Sequence, residues 1–600
     1  MSSIIHRGPD SAGRIDRPPY HGGIRRLSIN DVEHGDQPLF NTSRTVSVVY
    51  NGEIYNSPAL RTDMEARGFV FQTHSDGEVI CHLYDLYGEE AFEHLDGMYA
   101  ISLWDEAAQR LILARDHAGE KPLYYARLEG GGIVFGSEIR ALKIFPGLKL
   151  ELNRQALWDF PTFGWIPEPE TIFTAVKALE RGQRLVFEKN EVTLRAIRNT
   201  FTAGEGMITD DDEAIRATRA IVEDAVRARL LSDVEVGTFL SGGLDSSIVT
   251  SIAAASIPDL MTFCVGFEDV HDPHHGSADE SVYAQAFADH IGCRHHLVRA
   301  TPEFFRGHLD NFVKYGDQPF AISSGMGIYA VSHAAREMGI KVLLSGDGAD
   351  ECFGGYSWYV HLAEALGNQD VLPPGDEKGI ISYNNTGIAE NERVRQVSRL
   401  RDAEKAWAWH YFAHESEKAR LYSHDFAAEH LDSVRFFERF RGDGAWQPVD
   451  FIRHDRAFYQ PFEMMRKLDL MTMANSVEGR APFVAPSILA HVERLGFTHL
   501  VRGKTLKWAL REAFRNALPM DIIERPKHGF NVPLDHWFRS GWRELLKETF
   551  SSDSALARAG LIDTNGLVEA VALSDNTHRV SGQTLFAYVI LNMWLEQVWL

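Results

Sequence analysis

Ser241-Gly242-Gly243-Leu244-Asp245-Ser246-Ser247 is the stretch whose reading decides the fold. Before it, Val236-Gly237-Thr238-Phe239-Leu240 reads as a buried strand. After it, Ile248-Val249-Thr250-Ser251-Ile252-Ala253-Ala254-Ala255 reads as a helix. A strand, a glycine-rich turn and a helix N-terminus together form an anion cradle. Glycine lets the backbone come close to a ligand, so that amides face phosphate oxygens. The lysine of a Walker A loop is absent, and Asp245 stands in the turn instead. A carboxylate beside a polyphosphate makes sense with Mg²⁺ between them. A ligand-free turn is the bland alternative, and it competes poorly because further motifs follow at compatible spacing.

Outward from that loop the chain alternates helix and strand. Helix 214–230 leads into strand 235–240. Then come strand 261–267, a helix near 279–291, strand 295–298 and strand 341–345. This alternation predicts a doubly wound parallel sheet, whose ligands sit at the C-terminal ends of its strands. Three such ends carry polar or glycine-bearing motifs: the first loop, Val265-Gly266-Phe267, and Ser345-Gly346-Asp347-Gly348-Ala349-Asp350-Glu351. Three acids in five residues are costly unless cations balance them, so Asp350 joins Asp245 as a candidate Mg²⁺ ligand. Beyond about residue 395 the pattern is mostly helical, and residues 366–394 read as a mobile insertion.

Residues 1 to about 190 differ in character. Short β-type runs occur at 45–50, 98–104, 110–114 and 132–135, with helical periodicity at 79–87, which predicts a layered α+β domain. The polar, acidic stretch 199–213 marks the boundary, so the expected domains are 1–198 and 214–600. Six hundred residues exceed one core. A net charge of −23 disfavours nucleic acid or anionic membrane as the main partner. The four cysteines Cys81, Cys264, Cys293 and Cys352 show neither disulfide nor zinc spacing. No apolar stretch spans a bilayer and the N-terminus lacks a signal-peptide core, so a cytoplasmic protein is expected. A homodimer is a further expectation.

The SGGxDS loop resembles the pyrophosphate loop of ATP pyrophosphatases. In combination with Ser345-Gly346-Asp347-Gly348-Ala349-Asp350-Glu351, Lys467-Leu468-Asp469, Glu478-Gly479-Arg480-Ala481-Pro482-Phe483 and Glu524-Arg525-Pro526-Lys527-His528-Gly529-Phe530, it resembles the glutamine-dependent asparagine synthetases over nearly the whole chain. That resemblance implies an α/β ATP-pyrophosphatase domain with a helical C-terminal part. It implies ATP and Mg²⁺ as cofactors and small molecules as partners. Leu240, Val265, Ser345 and Gly346 would bind ATP, and Ser241, Gly243, Asp245 and Ser246 would hold pyrophosphate. Asp347, Glu351 and Lys527 would be catalytic, with Asp347 serving adenylate formation and ammonia attack and Lys527 neutralising the leaving pyrophosphate. Gln318 and Ala485 stand where acids are common in the family, and both would signal an altered acyl acceptor.

The first half resembles class II glutamine amidotransferases through His6-Arg7-Gly8-Pro9-Asp10, Arg26-Leu27-Ser28-Ile29, Asn51-Gly52-Glu53-Ile54-Tyr55-Asn56 and Ser75-Asp76-Gly77-Glu78. The implied fold is a four-layer αββα, N-terminal nucleophile hydrolase-like domain. Arg26, Asn51, Gly52, Glu53 and Asp76 would bind glutamine, with Arg26 on the α-carboxylate, Asp76 on the amino group, and Asn51 and Gly52 as oxyanion hole. The family's nucleophile is a cysteine after the initiator methionine, whereas no cysteine precedes Cys81 here. Little glutamine hydrolysis is therefore expected, with ammonia or another amine as nitrogen donor. The whole predicts an ATP-dependent ligase that adenylates a carboxylate, aspartate by default, and amidates it. Its rivals are a specialised-metabolism amidotransferase acting on another carboxylate and a non-catalytic paralogue.

Overall fold

The computed structural model describes residues 1–600 except 202–203, 205, 268–270, 273–275, 278–279, 367–369, 371–389, 408–411, 441–444, 527–531, 564–579 and 600. In the first half, a six-stranded antiparallel sheet runs Glu191–Ala196, Gln183–Glu188, Arg110–Arg115, Gly97–Asp105, Val46–Ile54, Leu39–Phe40. Successive side chains on a strand face opposite ways, and the apolar residues divide accordingly. Ile112 and Ala114 join Val48, Tyr50, Ile101 and Leu103 under the helices Ser57–Ala66 and Glu78–Tyr87. Leu111 and Leu113 join Ala100, Trp104 and Leu185 on the other face, against Ile15, Tyr20, Leu123 and Leu179. A three-stranded sheet (Ile133–Gly136, Tyr124–Arg127, Val176–Ala178) packs there, backed by the helices Ile139–Lys143 and Arg154–Phe163. The layers therefore run α-β-β-α, as expected.

The second half is built on a five-stranded parallel sheet. Its spatial order is Arg294–Ala300, Met261–Phe267, Val236–Phe239, Val342–Leu344, Glu478–Arg480. Numbered along the chain this is 3-2-1-4-5. The connections reverse direction between the first strand and the fourth, and that crevice is where open α/β sheets bind ligands. The first strand ends in the glycine loop and the fourth ends in the acid loop. Sheet order alone thus brings together motifs about a hundred residues apart in the chain.

Boundaries of the predicted elements move by a few residues, and two readings need correction. The edge strand Glu478–Arg480 had no signal as a strand; its three residues are buried and charged at both ends. Residues 371–389, most of the expected insertion, lie outside the described residues, whereas its C-terminal end belongs to the helix Glu390–Val397.

Buried ion pairs join the two halves. Asp469 receives Arg7 at 2.8 Å and Lys121 at 3.1 Å. Asp96 pairs with Arg229 at 3.1 Å, and an exposed pair, Asp10 with Lys341 at 2.8 Å, adds to them. Gln318 also belongs to this joint. It is fully buried, and its Oε1 accepts the amide of Ile172 at 2.9 Å. Its carbonyl thus serves a main-chain amide of the other half, while its side-chain nitrogen is buried with no hydrogen-bond partner among the described residues.

Candidate active site

Residues 241–247 form a tight internal lattice. The Ser246 hydroxyl accepts the Ser241 amide at 3.2 Å and lies 3.1 Å from the Ser241 hydroxyl. The Gly243 amide donates to Ser241 Oγ at 3.3 Å. Gly242 has φ of 72°, and a Cβ there would lie 2.7 Å from the Ala284 amide nitrogen, so no side chain is tolerated. The helix Leu244–Ala254 starts directly behind, offering its unpaired first-turn amides and positive dipole end to the loop. Leu240 is buried, and its amide donates to Phe263 O at 2.8 Å. Val265 lies near the C-terminal end of the neighbouring strand, paired with Val298.

Arg525 braces this loop from outside. Its guanidinium donates to Gly242 O at 3.0 Å and to Glu280 at 2.7 Å, and it lies 3.6 Å from the Tyr283 ring centroid. Lys527, two residues further on, lies outside the described residues.

The acid loop meets the glycine loop. A Cβ on Gly346 would lie 2.9 Å from the Ser246 amide nitrogen and 3.0 Å from Asp245 Cβ, so bare backbone is needed where they touch. Ser345 donates its hydroxyl to Asp347 at 2.6 Å, and Lys467 Nζ lies 3.9 Å from the same carboxylate. Gly348, at φ of 90°, turns the chain into the short helix Ala349–Phe353, which carries Asp350 and Glu351. Glu351 is fully buried and accepts the Tyr356 hydroxyl at 2.5 Å. Burial first, and the Asp350 charge second, push its carboxyl up to about 8. Asp245 and Asp350 share the ammonium of Lys507, at 2.5 and 2.6 Å, and the Arg511 guanidinium also feels both carboxylates. The second oxygen of Asp245 is buried with no hydrogen-bond partner among the described residues. That orphaned oxygen suits a metal ligand. Mg²⁺ is commonly held by one or two carboxylates plus substrate phosphates, so this pair fits it.

The glutamine-binding candidates gather in a separate cavity of about 70 Å³. Arg26, Asn51, Gly52, Glu53 and Asp76 all line it, together with Glu478 of the other half. Gly52 is irreplaceable on steric grounds: φ is 139°, and a Cβ would lie 1.9 Å from Met98 O. Asp76 accepts the Tyr50 hydroxyl and the Ile54 amide, each at 2.6 Å. Arg26 donates to the carbonyls of Asn30 and Asp31 at 2.8 Å each and pairs with Asp36 at 3.0 Å. The Asn51 side-chain nitrogen is buried without a hydrogen-bond partner among the described residues, a donor left over for a ligand. Burial raises the carboxyls of Asp76 and Glu53, and the Asp76 charge raises Glu53 further. Arg480 lies against Glu53 at 3.6 Å and Glu478 at 2.8 Å.

Two family models match the chain. One, glutamine amidotransferase domain, covers residues 1–198; the other, asparagine synthase, covers residues 217–596. The chain belongs to the asparagine synthase family. Among its relatives is asparagine synthetase 1 (glutamine-hydrolyzing) of Bacillus subtilis, 32% identical over 91% of this chain and 85% of that protein. A putative glutamine-hydrolyzing asparagine synthetase of Mycobacterium bovis is 32% identical over 98% and 91% of the two chains. Amidase chyE of Penicillium rubens is 29% identical over 95% and 89%.

Within this family member, the structure brings together Ser241, Gly243, Asp245, Ser246, Ser345, Gly346, Asp347, Asp350 and Glu351 around one crevice. Four charged residues escaped the sequence reading: Lys507, Lys467, Arg525 and Arg480. Lys467, Arg480 and Arg525 stand inside family-like strings, so a signal existed for them. Lys507, in Gly503-Lys504-Thr505-Leu506-Lys507, reads as one of two surface lysines in a loop, and only its burial separates it from Lys504.

Proposed function

We propose that this chain is an ATP-dependent carbon–nitrogen ligase that converts the aspartate side-chain carboxylate to an amide. The observation that carries the reading is the contact between the glycine loop and the acid loop at the reversal point of the parallel sheet. A carboxylate oxygen attacks the α-phosphorus of ATP, and pyrophosphate leaves into the cradle of Ser241, Gly243 and Ser246. Backbone at Leu240, Val265, Ser345 and Gly346 holds the adenosine. Ammonia then attacks the acyl carbon and expels AMP, and Asp347 takes the proton. Asp245 and Asp350 would hold Mg²⁺, which supplies charge neutralisation on the transferring phosphate oxygens. Lys527 would serve the departing pyrophosphate, on the resemblance alone. Glu351 lies buried under the acid loop, its carboxyl held up to about 8 by burial first and by the Asp350 charge second.

Glutamine bound by Arg26, Asn51, Gly52, Glu53 and Asp76 supplies the nitrogen. Relatives that match over most of both chains are named glutamine-hydrolyzing, which supports glutamine over the sequence expectation of ammonia alone. We place the domain boundary in residues 199–213 and the enzyme in the cytoplasm. No helix among the described residues is long and apolar enough to cross a membrane.

A second reading, amidation of another carboxylate, is favoured by one observation. Ala485, where the family commonly has an acid, is buried directly after Val484, which packs against Gly348 of the acid loop. ATP–pyrophosphate exchange measured over a panel of carboxylates decides between the two. Aspartate-dependent exchange that is lost in Asp245→Asn supports the main reading. Exchange with another carboxylate and none with aspartate overturns the choice of substrate, and exchange retained in Asp245→Asn overturns the site.

A further inference from the structure

We propose that Lys507 is the resident counter-ion of the Asp245–Asp350 pair: it holds the two carboxylates in register and keeps divalent metal out until nucleotide arrives. The inference rests on the reading of these aspartates as the magnesium ligands.

The slot for Lys507 is built. The residue is 3% exposed, and its ammonium lies 2.5 Å from Asp245 and 2.6 Å from Asp350. Its backbone is left-handed, at φ of 53°, a conformation that side-chain-bearing residues adopt only when their surroundings impose it. Its amide donates to Gly354 O at 3.3 Å, and its carbonyl accepts the Arg511 amide at 2.8 Å, so the turn is fixed on both sides. Gly355 completes the slot. A Cβ there would lie 1.9 Å from Asp350 Oδ1 and 2.1 Å from Lys507 Cε, so only bare backbone lets the ion pair form.

The chemistry follows from charge. Asp245 comes from the glycine loop and Asp350 from the acid loop, and without a cation between them they repel. A lysine ammonium is a compact point charge on a flexible stem, able to leave one carboxylate for another anion. Free magnesium meets the ammonium already standing between its ligands, and like charges at that separation oppose one another strongly. Magnesium that arrives with a triphosphate brings the anion to which the ammonium can turn. Lys507 therefore makes metal binding conditional on nucleotide, and it keeps the two loops docked in the meantime. It is a positioning residue, acting through the carboxylates.

The test uses the full chain without nucleotide and Mn²⁺ as probe, followed by electron paramagnetic resonance, with melting temperature read with and without Mg²⁺. Wild type is expected to bind no Mn²⁺ in the micromolar range and to melt at the same temperature with and without Mg²⁺. Lys507→Met is expected to melt lower, to recover with Mg²⁺, and to bind Mn²⁺ about tenfold tighter or more. A purely structural lysine would lower the melting temperature without creating the metal response. Micromolar Mn²⁺ binding by nucleotide-free wild type overturns the inference, as does a Lys507→Met protein with no gain in metal binding. If Lys507→Met does not fold, Lys507→Gln takes its place, and the wild-type measurement stands by itself. Asp245→Asn separates the two levels. If it binds Mn²⁺ in the presence of ATP as tightly as wild type does, the metal reading fails. If that binding weakens while Lys507→Met gains no metal, only the counter-ion role fails.

Discussion

The guanidinium of Arg480 lies 3.6 Å from the Glu53 carboxylate, in the opposite half of the molecule. The carbonyl of the same arginine accepts the Ser345 amide at 2.8 Å. One residue thus reaches, with its side chain, a carboxylate that lines the proposed glutamine cavity, and with its backbone the acid loop. Arg480 is fully buried and also donates to the carbonyls of Arg229 and Leu231, at 2.7 Å each.

Arg480→Met leaves Glu53 and Glu478 facing each other in a buried joint. Removing one partner of a buried charge network typically costs about 3–5 kcal/mol. Calorimetry is expected to show a clear fall in melting temperature. Glutamine-dependent amide formation should fall further than ammonia-dependent formation, because Glu53 lines the glutamine cavity. Equal losses with both donors would remove the coupling from Arg480.

Gly355→Ala is a one-carbon test of the Asp245–Asp350 pair proposed to hold magnesium. The added Cβ meets Asp350 Oδ1 and Lys507 Cε at distances no packing accepts, so both must move. ATP–pyrophosphate exchange is expected to drop about 100-fold, the equivalent of roughly 2.7 kcal/mol in the barrier. The glutamine cavity lies elsewhere in the molecule, so glutamine binding by calorimetry should stay near wild type. Unchanged exchange would mean that the pair is not poised as described.

Glu351 predicts a pH dependence of stability. Its carboxyl is held up to about 8 in the folded protein, against an ordinary value of 4.5, first by burial and then by the Asp350 charge. A raised acid favours the folded state below the ordinary value, and that contribution is lost as pH rises through 8. Glu120, also pushed up to about 8 by burial and by Asp116, acts in the same direction. Glu351→Gln cannot ionise, so its melting temperature should fall less than that of wild type between pH 6 and pH 9. Parallel curves would show that Glu351 does not titrate in that window.

Gln318→Glu addresses the joint between the two halves. Its carbonyl oxygen serves the Ile172 amide, and a glutamate keeps that acceptor. The order in which carboxylates support pyrophosphate exchange should be the same in the variant and wild type. A reordered panel would return this position to the substrate site.

Much of the architecture was legible in the residues. The β-type runs at 98–104 and 110–114 predict strands, and in the structure their two faces separate into two apolar layers because a strand repeats every two residues. Residues 241–247 announce an anion cradle because glycine and helix-start chemistry are local. The strand Glu478–Arg480 was not legible, since a three-residue strand with charged ends carries no periodic signal; its pairing with Val342–Leu344 makes it a strand.

By itself, the sequence determined a layered α+β half, an alternating α/β half, and a glycine-rich turn with acids near it, because all of these rest on short-range patterns; the residues proposed for each site came from the family resemblance. Tertiary structure alone decided which charges meet. Lys507 stands 262 positions from Asp245, and Arg480 is drawn from the far end of the chain to Glu53. Nothing local distinguishes Lys507 from a solvated lysine, and the string around Arg480 names no partner for it. Burial makes an unpaired charge untenable, so the fold must bring each one a partner, and that partner gives Lys507 and Arg480 their places in the chemistry.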